Sequence, residues 1–164
     1  MLRQVLELET VMQEMISEHQ RLLKHLQLQQ AAMKDVDASA MDAAARLQEA
    51  CRMRLLSLEV KRRNLVLQLI QQNNKRGGTA TVEEIASWYP ARAAQLMKLR
   101  AQLKDVVQQV ATRAQIAGKV AGAVLGHLNT VVRLIAGAVE KAGLYTKQGV
   151  PSMSSRIGVM EAVG

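Results

Sequence analysis

The sequence predicts an all-α fold: a long antiparallel helical hairpin plus a third long helix, packed as a three-helix coiled-coil-like bundle with a mobile C-terminal tail. Three observations carry that expectation. Leu, Val, Ala, Met and Gln dominate the 164 residues, and the aromatics are only Trp88, Tyr89 and Tyr145, with no Phe; this is the composition of a bundle rather than of a β-sandwich or an α/β sheet. Pro90 and Pro151 are the only prolines, which leaves room for long unbroken helices. Apolar residues recur at steps of three and four through three long stretches, the period of a helix with a buried face.

The first helix spans about residues 2–34. Val5, Met12, His19, Leu26 and Met33 fall on one heptad position, and Leu8, Met15, Leu22 and Gln29 on the other. Leu2, Ile16 and Leu23 widen this stripe, and a stripe of that width implies burial against two neighbours. The run Lys34-Asp35-Val36-Asp37-Ala38-Ser39 ends it with turn and capping residues. Asp37 or Ser39 can cap the next helix, and so short a connection favours an antiparallel hairpin. The second helix runs over about residues 40–73. Its seam reads Met41, Ala44, Gln48, Cys51, Leu55, Leu58, Arg62, Leu65 and Leu69, flanked by Leu47, Leu56, Val66 and Ile70. It stops in the amide- and glycine-rich Asn73-Asn74-Lys75-Arg76-Gly77-Gly78.

Thr81-Val82-Glu83-Glu84 is a capping box, and it starts a short helix over about 82–87. Trp88 and Tyr89 stand before Pro90, which pushes the preceding backbone out of the helical region; Trp88 is expected to plug the space between helix ends. The third long helix covers about 91–141, with Leu96, Leu99, Leu103, Val106 and Val110 on the seam of its first half. From Ala114 its character changes. Val120, Val124, Leu128, Val131, Ile135 and Val139 keep helical spacing, but Ala117, Gly118, Ala121, Gly122, Gly126 and Gly137 fill the gaps. Each interior glycine costs about 0.5–1 kcal/mol relative to alanine, and the stretch is too apolar to sit bare in water. A hairpin of two shorter helices covers only the first two-thirds of the third, so the segment from Val120 to Val139 needs some other cover. The chain is accordingly read as a helical domain over 1–143 and a flexible tail over 144–164.

The net charge is +8, with one local knot at Arg52, Arg54, Lys61, Arg62 and Arg63. No aromatic stacking platform accompanies the knot, so a solvated helix face is expected there and nucleic acid is not an expected partner. Glu7, Glu9, Glu14 and Glu18 likewise read as a solvated face. Cys51 is the one cysteine; a disulfide framework is excluded, a reducing cytoplasm fits, and its seam position makes it a small buried hydrophobe. The N-terminus is amphipathic and acidic, without the apolar run of a secretory signal. Residues 120–139 have the length of a membrane span but contain His127, Asn129 and Arg133, so stable membrane insertion is not expected. His19, His25 and His127 have no carboxylate or cysteine at ligand spacing, no glycine loop cradles a phosphate, and no serine sits in a nucleophile elbow. No catalytic, cofactor or metal site is expected, and the chain describes an interaction surface rather than an enzyme.

The order of these features resembles the FlgN family of flagellar type III export chaperones. The resemblance rests on the aspartate turn Lys34-Asp35-Val36-Asp37, on the run Leu55-Leu56-Ser57-Leu58-Glu59-Val60-Lys61-Arg62-Arg63-Asn64-Leu65 in the second helix, on the aliphatic repeat with Asn129, and on Tyr145-Thr146-Lys147-Gln148-Gly149. It covers about residues 2–149. Lys147 departs from a tail that is often acidic near its tyrosine, and residues 150–164 extend past the match. The resemblance implies a cytoplasmic chaperone that binds the C-terminal helical segments of hook–filament junction proteins (FlgK and FlgL types), keeps them from aggregating and delivers them to the FlhA-type export gate. It implies cargo binding by the back half of the third helix (Val120, Val124, Leu128, Val131, Ile135, Val139) and gate docking by Tyr145. Small residues that let a partner helix approach closely agree with the first of these. The other readings are a self-associating structural coiled coil joined through Val120–Val139, and a basic nucleic-acid binder using Arg52–Arg63.

Overall fold

The structure, a computed structural model, describes residues 2–143; of Leu128 and residues 136–143 it describes only the backbone. Four helices follow one another: α1 (Leu2–Lys34), α2 (Ala38–Gln72), the short α3 (Val82–Trp88) and α4 (Pro90–Gly143). There is no strand among the described residues. The chain divides into two units, Met1–Ala121 and Gly122–Gly164. The first holds α1 to α3 and the front of α4. The second is represented by helical residues 122–143.

The α1–α2 turn is built from hydrogen bonds that end one helix and begin the next. The Asp37 amide donates to the Ala32 carbonyl at 2.9 Å and the Val36 amide to that of Met33 at 3.3 Å. Those two bonds form a Schellman motif, in which the residue after the cap turns left-handed. That residue is Val36, with φ of 53°. Asp37 then caps α2, its Oδ1 accepting from the Ala40 amide at 2.9 Å. The end of α2 repeats the motif. The Lys75 amide donates to Ile70 at 3.0 Å and the Asn74 amide to Gln71 at 3.1 Å, with Asn74 at φ of 52°. The left-handed residue is thus an asparagine, within the Asn73–Gly78 run expected to provide the stop. The capping box at Thr81 and Glu84 is present in both directions, at 3.2 and 2.6 Å. Pro90 opens α4 at its first position, where its missing N–H costs no helical hydrogen bond.

Side-chain pairs fix how the helices run. On α1 and α2, Glu18 meets Arg54 and Gln29 meets Gln48, so one rises in number as the other falls: an antiparallel hairpin. On α1 and α4, Glu9 meets Arg92 and Gln30 meets Arg113, both separated by 83 residues. A constant offset means a parallel pair in register. The core fills the end where all four helices meet. Val5, Leu8, Met12 and Ile16 of α1 pack with Leu65, Leu69 and Ile70 of α2, Ile85 of α3, and Leu96 and Leu99 of α4. Trp88 is the expected plug. It lies half-buried against this cluster, with Lys75 Nζ 6.0 Å from its ring centre, within cation–π range. Tyr89 locks the same corner, its hydroxyl accepting from Asn73 Nδ2 at 2.8 Å.

Several expected placements differ. Glu9 and Glu18 do not belong to a solvated face: they are 8% and 4% exposed. Glu9 faces Arg92 of α4, and Glu18 faces Arg54 of α2 and Arg21 of its own helix. A carboxylate can be buried when cations and hydrogen bonds replace its water. His19 is half-buried, with Nδ1 2.7 Å from the Met15 carbonyl; a carbonyl only accepts, so Nδ1 carries the hydrogen. Leu2, Leu47 and Leu56, counted into the apolar stripes, are exposed. They lie at the widest edge of each stripe, where a facing helix no longer reaches.

Candidate partner-binding surface

The length of α1 decides where α4 runs out of its partner. With the offset of 83, Lys34 at the end of α1 stands level with Ala117. Ala117 is also the last buried residue of α4 among those whose burial is described. Past it the helix continues through the small-residue stretch without a break. Its apolar side chains are bare: Leu125 is 67% exposed, Val132 62%, Leu134 69%, Ile135 59% and Val131 36%. Val120 and Val124 are half-buried. The side chains of Leu128 and Val139 lie outside the described residues, as does Tyr145 altogether.

The glycines of this stretch are not there to suit the chain's own packing. A Cβ added at Gly118, Gly122 or Gly126 meets nothing within 4 Å. Their cost to the helix is therefore not repaid by packing among the described residues. Leu125, Val132 and Leu134 extend the apolar surface beyond the one seam read from the sequence. The seven-residue step from Leu125 to Val132 was a usable signal for them. Following a single heptad seam hid it, since on an uncovered helix no one face is singled out.

The basic knot of α2 has partners within the chain. Arg52 is held by Glu49, Arg54 by Glu18, and Arg62 and Arg63 by Glu59. The fork of Arg62 grips Glu59 with two bonds of 2.8 and 2.7 Å. Hydrogen bonding from Arg62 is the largest influence on Glu59 and, with Arg63, overcomes the opposing effect of burial, holding the carboxyl down at about 2. Four of the five cations are thus in ion pairs, with three glutamates shared among them. At Glu18 burial pushes the carboxyl up, but hydrogen bonds from Cys51 and Arg54 and the charges of Arg54 and Arg21 leave it below the usual carboxylate range. Cys51 is buried as expected, and burial and the adjacent Glu18 raise its thiol.

The sequence model of one family, described as FlgN protein, matches residues 1–152.

The chain belongs to the FlgN family.

FlgN-family proteins are flagellar export chaperones, so the exposed end of α4 sits in a protein of flagellum assembly. No curated protein matches the chain. No solved structure matches it either. No helix of the described residues is long and apolar enough to cross a membrane, and no group of potential metal ligands occurs among them.

Proposed function

We propose that this FlgN-family chaperone acts in the cytoplasm on hook–filament junction proteins of the FlgK and FlgL types. It binds their C-terminal helical segments along the uncovered end of α4, keeps them from aggregating and brings them to the FlhA-type export gate. The observation that carries this reading is the set of bare aliphatic side chains Leu125, Val131, Val132, Leu134 and Ile135, beside Gly118, Gly122 and Gly126, where an added Cβ meets nothing within 4 Å. An amphipathic partner helix laid there covers both apolar stripes. Each Val, Leu or Ile covered contributes about 1.5–3 kcal/mol before the cost of ordering the two helices. Val120, Val124, Leu128, Val131, Ile135 and Val139 are assigned to cargo. Tyr145, in the tail 144–164, is assigned to gate docking on the family resemblance. The domain 1–143 holds cargo, and the tail hands it over.

Hydrogen exchange on the full chain tests the cargo site. A junction-protein C-terminal segment is expected to protect residues 115–143 and leave the amides of α1 and α2 unchanged. Val124→Asp and Val131→Asp should each remove that protection with α1 and α2 still folded. Retained binding in both variants rejects the α4 site. The glycines give a second arm. Replacing Gly118, Gly122 and Gly126 by alanine should strengthen the helix by about 0.5–1 kcal/mol at each site and yet weaken cargo binding, because a Cβ holds the partner backbone away. Tyr145→Ala should leave cargo binding intact and lower capture by the gate component.

A further inference from the structure

A different surface lies in the body of the protein. Between α2 and α4, above Met12 of α1, runs an open groove of about 520 Å³. Met12, Val82, Leu103 and Val107 give it an apolar lining, and Val107 is 42% exposed there. Arg62, Arg100 and Lys104 also line it, and no carboxylate does. Glu59 holds Arg62 and Glu83 holds Arg100, both acids standing outside the lining. Lys104 is in no ion pair among the described residues. Its neighbour Asp105 belongs to the grooves on the α1 side, where it accepts from Gln109 at 2.8 Å. Past Asp105, α4 carries no Asp or Glu before Glu140.

An apolar lining with cations on its rim complements a helix that has aliphatic side chains on one face and carboxylates beside them. The two arginines are fork donors with N–H groups beyond those their glutamates use, and Lys104 brings a charge that is in no ion pair among the described residues. A basic helix would place its cations against the same three side chains without an acid to offset them. A second copy of the chain has no acidic counterpart to offer from α4 between Val106 and Val139. We propose that this groove docks an acidic amphipathic helical segment of a partner protein, at a surface separate from residues 120–139. The proposal goes beyond the cargo reading and does not depend on it.

The test uses the full chain and two synthetic peptides with leucines at positions i, i+4 and i+7, one flanked by glutamates and the other by lysines. The glutamate peptide is expected to bind and to protect amides over 100–111, leaving 120–139 unchanged in hydrogen exchange. Val107→Asp should abolish binding. Lys104→Glu should weaken it tenfold or more and turn the preference toward the lysine peptide; Lys104→Gln should weaken it less. Both positions of change are solvent-exposed, and far-UV circular dichroism with a thermal melt confirms the fold. Equal binding of the two peptides, protection only at 120–139, or no effect of Lys104→Glu overturns the proposal. So does a concentration-dependent dimer in sedimentation that Val107→Asp dissolves, since the groove then belongs to a second copy.

Discussion

Val36 and Glu18 show how much one side chain's surroundings decide. Val36 occupies the left-handed position that ends α1, with φ of 53°. A β-branched residue pays for that conformation, at roughly 1–2 kcal/mol. Asparagine is at home there, as Asn74 is in the matching position after α2. Val36→Asn is therefore expected to raise stability by about 1 kcal/mol, read from urea unfolding midpoints. The Glu18 pair is lopsided: the carboxylate is buried and the Arg54 side chain is half exposed. Removing the buried partner leaves a guanidinium that water can solvate. Removing the exposed one strands a buried charge with only Arg21 to offset it. Glu18→Met is expected to stay within about 1 kcal/mol of the parent, and Arg54→Met to lower the melting temperature clearly more. Equal effects in the two variants would show that Glu18 is solvated in solution. Neither burial nor partner was visible in the sequence. A glutamate among glutamates on an amphipathic helix looks solvated until the helices facing it are known. Cys51 was legible because its seam position and small size agree with burial whatever lies opposite.

Among the helices, local signals are legible in the sequence and long-range ones are not. Asp37, the Thr81–Glu84 box and Pro90 each act within a few residues of their own position, so the starts of α2, α3 and α4 could be placed within one or two residues. The hairpin followed from the brevity of its turn. The partner of α4 had no such signal, because its register with α1 rests on Glu9–Arg92 and Gln30–Arg113, 83 residues apart. Seam positions held by amides set the register of the hairpin. Gln48 Nε2 donates to Gln29 Oε1 at 2.9 Å and to the His25 carbonyl at 3.3 Å. A polar contact between helices specifies alignment at some cost in stability. The double variant Gln29→Leu with Gln48→Leu is expected to melt higher, and to lose the uniform amide protection of α1 and α2 as the helices slip. On the outer side of α2, Met53, Leu56, Val60 and Leu67 are exposed, with no cover among the described residues. Met53→Gln and Val60→Gln should change stability by less than about 0.5 kcal/mol. A larger loss would mean that this side of α2 is packed in solution.

Taken as one body, residues 2–121 should be sensitive to acid in a definite window. Glu59 is held down at about 2 from an ordinary 4.5, chiefly by its hydrogen bonds from Arg62. A carboxyl whose folded value is lowered gives stability that is complete above the unfolded value and lost as pH falls toward the folded one. Glu18, also lowered, acts in the same direction. Denaturant midpoints should therefore hold level down to about pH 5 and decline between about 4.5 and 2, with a shallower decline in Glu59→Gln. A flat profile through that window would remove the ion pairs as a source of stability. The parallel pairing of α1 with α4 has one more consequence, for a chain emerging from the ribosome. The hairpin of α1 and α2 is complete in sequence by Gln72. The α4 residues that cover the other side of α1 are made only when Arg92 and its successors appear. For the time it takes to synthesise that interval, roughly 5–20 residues per second, Leu8, Met12 and Ile16 await their last neighbours. A nascent chaperone is thus briefly a hydrophobic client itself, and chains arrested near residue 80 should be captured by general chaperones more strongly than chains arrested past residue 120.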